Sequence, residues 1–144
     1  MYNEGDNTNI LALNSRVKII KRNLIQDERG WFLKTMTGFE DNLSQQFGEV
    51  YLTMGREGQS KGGHFHPEAN EWFTLISGNA VLKLEDVITH ERMDIDMSLK
   101  NAITVFIPNN VAHVVVNQGK DDFILLAYTD KRYDPNDTIS YRIQ

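Results

Sequence analysis

The sequence predicts an all-β fold, and two observations lead to that prediction. Short segments of alternating or β-branched residues follow one another along the chain, separated by turn-forming glycine, proline, asparagine and aspartate. No segment has the apolar spacing of a long amphipathic helix. Many short strands without long helices are typical of a β-sandwich or β-barrel. With 144 residues, 40% of them hydrophobic, the chain has the size and composition of one globular domain.

The predicted elements begin with an arm and a hairpin. Residues 1–15 are mostly polar and are expected to form a loose N-terminal arm, which leaves residues 16–144 as the folded domain. The turn-forming residues 27–30 are expected to join two strands into a hairpin, and a polar connection with room for one helical turn follows. The predicted strands are 16–21, 31–37, 47–54, 71–76, a segment around 82–85, 87–95, 102–107, 111–117 and 123–129.

The end of the chain and one histidine complete the pattern. Residues 133–137 form a turn sequence, and the tail is expected to finish in a short polar strand. His90 belongs to no motif and is interpreted as a solvated residue of the strand 87–95. The chain has no internal repeat and no low-complexity segment.

Composition excludes several classes of function. The net charge of −5, without a basic patch, argues against nucleic acid as a partner, because affinity for a phosphate backbone comes from clustered lysine and arginine. The absence of cysteine means that any metal must be held by nitrogen and oxygen ligands. No apolar run is long enough to span a membrane and no apolar leader begins the sequence, so we expect a soluble, cytoplasmic protein without a membrane partner.

Four side chains of metal-ligand type form the most informative pattern. His64 and His66 are two residues apart, so on a strand both imidazoles point to the same face. Pro67 then interrupts the strand, and Glu71 opens the next one on the same face as Phe73 and Leu75. Two imidazoles and a carboxylate suit iron, manganese, nickel or zinc, and a further histidine would complete the site.

His113 can supply that further ligand. It follows a Pro-Asn-Asn turn and shares a strand face with Val111, Val115 and Asn117. The opposite face of this strand is also apolar, and exposed strand edges need covering, so we expect a homodimer that uses this opposite face.

The spacing of these residues resembles the cupin family. The first cupin motif consists of a glycine, five residues, H-x-H, three or four residues, a glutamate, six residues and a glycine. Every position is matched, by Gly58, His64, His66, Glu71 and Gly78. The resemblance implies a double-stranded β-helix, or jelly roll, and a divalent transition metal (zinc, iron, manganese or nickel) held by His64, His66, Glu71 and His113.

The second cupin motif is matched in part. Pro108, His113 and Asn117 fit their positions, but Ala102 and Asn110 replace its two glycines. Asparagine tolerates a positive φ, so the turn at Asn110 is expected to form. The departures touch none of the expected metal ligands.

Three further segments are similar to the nucleotide-sugar branch of the cupins. They are the D-E-R-G-W-F-L segment from Asp27, the K-G-G-H-F-H segment from Lys61, and Tyr133-Asp134-Pro135 near the C-terminus. This branch includes dTDP-4-dehydrorhamnose 3,5-epimerases, dTDP-sugar 3,4-ketoisomerases and the metal-binding C-terminal cupin of bifunctional capsule-sugar enzymes. The resemblance implies an isomerase acting on a 4-keto-6-deoxy nucleotide sugar in polysaccharide or deoxysugar biosynthesis.

Residue roles follow from the same resemblance. The catalytic base of the epimerases matches His64, although His66 at the next ligand position opens the alternative that both histidines bind metal. The catalytic tyrosine of the epimerases matches no tyrosine here, because Ala127 stands at its position, and the adjacent Tyr128 is the candidate proton donor. Substrate-binding roles are implied for Arg29, Lys61 and Asn117. The glycines around Lys61 are interpreted either as a flexible loop alone or as a loop that lets Lys61 meet a phosphate group.

The expected chemistry is removal of a proton next to a ketone. A 4-keto group acidifies the neighbouring carbons, a base removes a proton, and the place to which the proton returns distinguishes epimerisation from ketoisomerisation. Two other functions fit the same fold. One is a metal-dependent dioxygenase that binds O2 at open coordination positions, and the other is a non-catalytic sugar-binding or metal-binding cupin.

Overall fold

The computed structural model describes residues 11–144. Within them it contains twelve β-strands and two short helical segments, joined by turns and loops. The helical segments are α1 (Leu13–Arg16) and a 3-10 turn (Pro135–Asp137). The strands are β1 (Lys18–Lys21), β2 (Ile25–Asp27), β3 (Gly30–Phe32), β4 (Glu49–Gly55), β5 (Ser60–Phe65), β6 (Glu71–Ser77), β7 (Asn79–Asp86), β8 (Arg92–Ser98), β9 (Ile103–Ile107), β10 (Val111–Val116), β11 (Phe123–Thr129) and β12 (Ile139–Ser140).

The strands form two five-stranded antiparallel sheets and one separate hairpin. The first sheet has the order β1-β9-β6-β11-β4, the second has the order β12-β5-β10-β7-β8, and β2 pairs with β3. Side chains from both large sheets share one hydrophobic core, with Phe73 and Leu125 from the first sheet and Leu82 and Val115 from the second. The predicted all-β jelly roll is confirmed.

Alternation places the side chains of β6 as predicted. Phe73 and Leu75 belong to the core, and Glu71 lies on the same face. Trp72 and Thr74 face the opposite side, where they line a groove on the outer surface of the first sheet.

Strand β4 has its apolar residues on the outside. Tyr51 and Thr53 point to the interior of the fold. Val50, Leu52 and Met54 are 54%, 62% and 40% exposed, on the edge strand of the first sheet. Unlike the strands of the core, β4 therefore presents an apolar stripe to its surroundings.

The predicted turn at 27–30 forms, but it joins different strands from those expected. Residues 27–30 make the turn, and the Asp27 carboxylate accepts a hydrogen bond from the backbone N–H of Arg29. This turn joins β2 to β3, whereas the segment 18–21 pairs with β9 instead of with 31–37. The reason is Arg22, whose guanidinium binds Thr104 on β9 and so fixes the chain after β1 on the first sheet.

The predicted strand 87–95 begins later, at Arg92. The preceding residues form a turn in which the Asp86 carboxylate accepts the backbone N–H groups of Ile88 and Thr89. His90 has a φ of 65°, so it is a turn residue and the interpretation as a strand residue is wrong. Its exposed imidazole contacts Glu85 through Nδ1 at 3.0 Å.

The N-terminal arm is described only from residue 11 onwards, and residues 1–10 lie outside the described residues. Within the described part, Leu13 is 2% exposed and packs in the hydrophobic core. The connection 38–46 contains no helical turn. None of the helices in the described ranges is long and apolar enough to cross a membrane.

Candidate functional site

A cavity of about 420 Å³ opens between the inner faces of the two sheets. Strands β4, β5, β6, β10 and β11 form its walls, and the segment after β11 borders it. Side chains of the cavity include Tyr51, Lys61, His64, His66, Glu71, Phe73, His113, Val115, Leu125, Lys131, Arg132 and Asp137. The four predicted metal ligands are all among them.

A local irregularity in β5 brings His64 opposite His113. The register between β10 and β5 shifts between His113 and Val114, which is a β-bulge. Gly62 and Gly63 at this point have φ values of 100° and 88°. A side chain on Gly62 would also lie 2.9 Å from the carbonyl oxygen of His113. Gly62 is therefore needed for the close approach of the strands, and Gly63 for its positive φ.

His113 enters the site from β10, after the predicted turn. Asn110 has a φ of 64°, so the asparagine takes the left-handed conformation in place of the family's glycine, as predicted. The His113 side chain is 2% exposed, and its Nδ1 atom lies 3.1 Å from the carbonyl oxygen of Val111. Because a carbonyl only accepts, Nδ1 carries the proton and Nε2 points into the site.

The imidazoles and the carboxylate meet at one point. The ring centroids of His64, His66 and His113 are 4.9–5.3 Å apart, and one nitrogen from each lies within 4.8 Å of the others. The Oε1 atom of Glu71 lies 3.2 Å from Nε2 of His66 and 3.1 Å from Nε2 of His113. The three histidines therefore converge, and Glu71 joins the cluster through His66 and His113.

The ring orientations make this point suitable for a cation. In His66, Nδ1 lies 2.9 Å from the carbonyl oxygen of Asp137, so this ring too directs Nε2 towards Glu71. Nε2 of His66, Nε2 of His113 and Oε1 of Glu71 are buried without a hydrogen-bond partner of satisfactory geometry. Neutral rings would point lone pairs at a carboxylate, an arrangement that a proton or a metal ion between them stabilises. The residues therefore fit the expected divalent metal.

The cluster shifts the pKa values of its members in opposite directions. Burial, together with the neighbouring imidazoles of His113 and His66, lowers the pKa of His64 to about 4. Burial also disfavours a charged His66, but the contacts with Glu71 and with the Asp137 carbonyl raise its pKa on balance. Burial alone would raise the pKa of Glu71. The contacts with His113 and His66 outweigh this effect and hold the pKa of the carboxyl well below its usual range. An ionised Glu71 faces a neutral His64 near neutral pH.

Tyr51 supports the carboxylate from the other side. Its hydroxyl donates a 3.0 Å hydrogen bond to Oε2 of Glu71, which leaves Oε1 for the histidines. Burial and the nearby Glu71 charge raise the pKa of Tyr51 well above its usual range, so the phenol remains a donor. Sequence reasoning missed this residue, because the alternation in β4 does not reveal which of its two faces is the inner one.

Comparison with known proteins identifies the family. A family model described as "Polysaccharide biosynthesis C-terminal domain" matches residues 25–141. The chain belongs to this family. One relative is the spore coat polysaccharide biosynthesis protein SpsL of Bacillus subtilis, to which the chain is 26% identical over 132 residues. The alignment covers 88% of this chain and 87% of SpsL.

A second relative is a longer protein. The chain is 24% identical over 115 residues to the UDP-2-acetamido-2,6-beta-L-arabino-hexul-4-ose reductase of Pseudomonas aeruginosa, covering 80% of this chain and 29% of that protein. Among solved structures, the capsular polysaccharide assembling protein CapF of Staphylococcus aureus is 26% identical with a TM-score of 0.64, covering 85% of this chain and 33% of CapF. This chain thus spans about a third of the length of these two proteins.

Other solved structures share the fold at lower identity. A dTDP sugar isomerase from Desulfovibrio desulfuricans superposes with a TM-score of 0.80 at 18% identity, covering 86% of this chain and 82% of that one. The dTDP-6-deoxy-D-glucose-3,5-epimerase RmlC of Legionella pneumophila superposes with a TM-score of 0.78 at 18% identity, covering 91% and 75%. These two structures show that the chain has the fold of a dTDP-sugar isomerase and of a 3,5-epimerase, which agrees with the expected fold.

Three cationic side chains of this family member border the cavity. Lys61 lies on β5 and not in the expected glycine-rich loop, and Lys131 and Arg132 follow the end of β11. Sequence reasoning missed Lys131 and Arg132, although their position directly after a predicted strand was a signal that they lie at its edge. The same lining also contains the carboxylates of Glu49, Asp134 and Asp137, so the border beside the histidine cluster carries both signs of charge.

Three predicted site residues do not line this cavity. Tyr128 lies on the outer face of β11, because alternation turns it away from Leu125 and Ala127, and it lines the outer groove with Trp72. A catalytic role for Tyr128 at this cavity therefore does not fit the structure. Arg29 lies in the β2–β3 turn, and Asn117 directly follows β10.

Arg29 and Asn117 are engaged in local structure. The Arg29 side chain is 84% exposed and forms an ion pair with Asp27 across the β2–β3 turn. Asn117 is 2% exposed, and its amide donates to the carbonyl oxygens of Gly55 and Asp121. Arg29 thus stabilises a turn, and Asn117 anchors a loop. Neither residue is placed to contact a substrate in the cavity.

Proposed function

We propose that this protein is an epimerase or ketoisomerase that removes a proton next to the ketone of a 4-keto-6-deoxy nucleotide sugar. The observation that carries the proposal is the position of the histidine cluster. His64, His66 and His113 converge with Glu71 on the wall of a cavity whose border holds Lys61 and other cationic side chains. A cavity of this size holds a sugar ring and leaves the nucleotide at the border, beside these cationic side chains.

The proposed cofactor is a divalent transition metal. His66, Glu71 and His113 would hold it through the three buried atoms that lack partners, with His64 beside them. Bound there, the metal supplies Lewis-acid stabilisation of the negative charge that develops on a keto oxygen.

His64 is the histidine of the cluster best placed to take a proton. It is half-buried beside the cavity, and its lowered pKa keeps it neutral near pH 7, so that one ring nitrogen has a free lone pair. Coordination to the metal would use that lone pair. His64 is therefore either the base, with the metal on the other three residues, or a fourth ligand, and the two roles are exclusive.

The remaining residues bind and orient the substrate. Phe73, Leu125 and Val115 form the apolar part of the cavity wall, which excludes water from the reacting carbon. Lys61, Lys131 and Arg132 provide the positive charge that a diphosphate requires. Tyr51 keeps Glu71 in place through its hydrogen bond.

The names of related proteins support the proposed substrate class. SpsL is named for polysaccharide biosynthesis, CapF for capsular polysaccharide assembly, and the Pseudomonas relative for reduction of a UDP-linked hexulose. The Legionella structure is an epimerase in complex with dTDP-4-keto-L-rhamnose. All of these names concern nucleotide sugars or the polysaccharides made from them.

Solvent exchange tests the proposal. The protein is incubated in D2O with dTDP-linked and UDP-linked 4-keto-6-deoxy sugars, and deuterium at C3 and C5 is followed by NMR. We expect incorporation at one or both carbons. Oxygen consumption without deuterium would replace the proposal with a metal-dependent dioxygenase, and tight binding of the sugar with neither reaction would replace it with a binding protein.

The variant His64→Ala separates the two roles of this residue. Loss of deuterium incorporation with unchanged metal content would identify His64 as the base. Loss of both would identify it as a ligand. His90→Ala is the matched control, because His90 is an exposed histidine of a distant turn, and it is expected to change neither readout.

A further inference from the structure

The 3-10 turn near the C-terminus contacts the segment that joins β5 to β6. These contacts are made by Asp137, the last residue of the turn. Its backbone carbonyl lies 2.9 Å from Nδ1 of His66. Its carboxylate accepts hydrogen bonds from the backbone N–H groups of Glu68, at 2.7 Å, and Ala69, at 3.1 Å. One residue thus holds three parts of the same segment.

The two kinds of contact act on the same ring. The carbonyl of Asp137 determines that Nδ1 of His66 carries the proton, and so directs Nε2 towards Glu71. The carboxylate binds the chain immediately after His66 by charge-assisted hydrogen bonds, which are stronger than neutral ones. If the carboxylate is removed, the turn loses two of its hydrogen bonds to this segment, and the carbonyl of residue 137 is held less firmly at the ring.

Asp137 itself is fixed from both sides. Its backbone N–H donates to the carbonyl of Asp134, and the Asp134 carboxylate accepts from the N–H of Asn136. After the turn, Ile139 and Ser140 pair with Phe65 and His64 in the β12–β5 ladder. These contacts fix the backbone at both ends of the turn, and the Asp137 carboxylate ties the turn itself to residues 68 and 69.

We propose that Asp137 is a positioning residue that holds the His66 imidazole with Nε2 directed at Glu71. Nothing in the spacing of the cupin motifs assigns this residue, because it follows His66 by 71 positions. The inference rests on the proposed metal site for its effect on metal affinity, whereas its effect on the His66 ring is independent of any metal.

The first test examines the ring in the metal-free protein. The variant is Asp137→Ala, and the readout is the hydrogen-bonded Nδ1 proton of each histidine in ¹H–¹⁵N spectra. We expect the His66 signal to be lost or to exchange with water at least about tenfold faster. The His113 signal, whose acceptor is the carbonyl of Val111, is the internal control and stays unchanged. An unchanged His66 signal in the folded variant would overturn the proposal.

The second test measures zinc affinity by competition with a chelator. Loss of a residue that orients a ligand typically weakens metal binding about 10-fold to 100-fold, and we expect this range for Asp137→Ala. Asp137→Asn keeps one acceptor oxygen and is expected to fall between Asp137→Ala and the wild type. A dissociation constant of Asp137→Ala within twofold of the wild-type value would count against the proposed role.

Asp86→Ala is the matched control for both tests. The Asp86 carboxylate also accepts two backbone N–H groups, of Ile88 and Thr89, but in the β7–β8 turn. We expect this variant to lower the melting temperature without changing zinc affinity or the His66 signal. Equal weakening of zinc binding by both variants would reduce Asp137 to a general stabilising role. A wild-type protein that binds no zinc would refute the proposed metal site, while the ring signals would still decide the role of Asp137.

Discussion

Nε2 of His113 lies 3.1 Å from Oε1 of Glu71, with both side chains buried, while Nδ1 of the same ring is committed to a backbone carbonyl. The contact therefore needs a positive charge, either a proton on the ring or a metal ion between the two atoms. His66 meets the same carboxylate oxygen in the same way. The cluster is thus arranged around a site for a cation.

Removal of a metal ligand is expected to remove the metal. The wild-type protein should bind about one transition metal per chain, and His113→Ala or Glu71→Gln should weaken zinc binding by more than about 100-fold, because each leaves an incomplete site. Elemental analysis and chelator competition measure this effect. His90→Ala should retain full metal content, and metal bound equally well by His113→Ala would place the site elsewhere.

Metal affinity is expected to rise with pH because of His66. The pKa of His66 is raised above 6.5, so below that value a proton occupies the ring and must leave when the metal binds. His64, with a pKa of about 4, is already neutral above pH 5 and releases no proton. A plot of log affinity against pH between 5 and 7 should therefore keep its slope in His64→Gln and become flatter in His66→Gln. An unchanged slope in His66→Gln together with a flatter slope in His64→Gln would contradict this prediction.

Lys61 is expected to affect substrate binding and not the metal. A contact to a phosphate is made equally in the ground state and the transition state, so Lys61→Ala should raise KM about tenfold with little change in kcat. Lys83→Ala is the control, because Lys83 pairs with Asp94 on a surface away from the cavity. A fall in kcat at constant KM would mean that Lys61 takes part in the chemistry.

The homodimer is expected to use the outer face of β4. On the face of β10 first favoured for this role, Ala112 is fully buried and Val114 and Val116 are partly buried, whereas Leu52 is 62% exposed on an edge strand. Leu52→Asp should convert the dimer to a monomer in light scattering at micromolar concentration. Ile88→Asp is the control, because Ile88 is also exposed (72%) but lies in the β7–β8 turn, and this variant should remain dimeric. A monomeric wild-type protein would contradict the prediction.

The sequence was most informative where the determining contacts are local or periodic. Alternation placed Glu71 with Phe73, and the H-x-H spacing placed His64 beside His66. Even the φ of Asn110 followed from the residue type. These features depend on neighbours one to five positions away, which a single sequence displays directly.

Features that depend on distant contacts were not predicted. Arg22 fixes the strand before it on β9 through Thr104, 82 residues away, and so the predicted N-terminal hairpin is wrong in its partner. The alternation in β4 left its inner face undetermined, which hid Tyr51. Asp137 contacts His66 from 71 residues further along the chain. None of these contacts leaves a periodic signal.

The histidine cluster is proposed to remove a proton next to a ketone with the help of a bound metal. The most direct measurement is deuterium incorporation at C3 and C5 of a 4-keto-6-deoxy nucleotide sugar, compared between metal-stripped protein and the same protein after one equivalent of metal is restored. We expect no incorporation in the stripped protein and full incorporation after restoration. Equal incorporation in both samples, or none in either, would contradict the proposal.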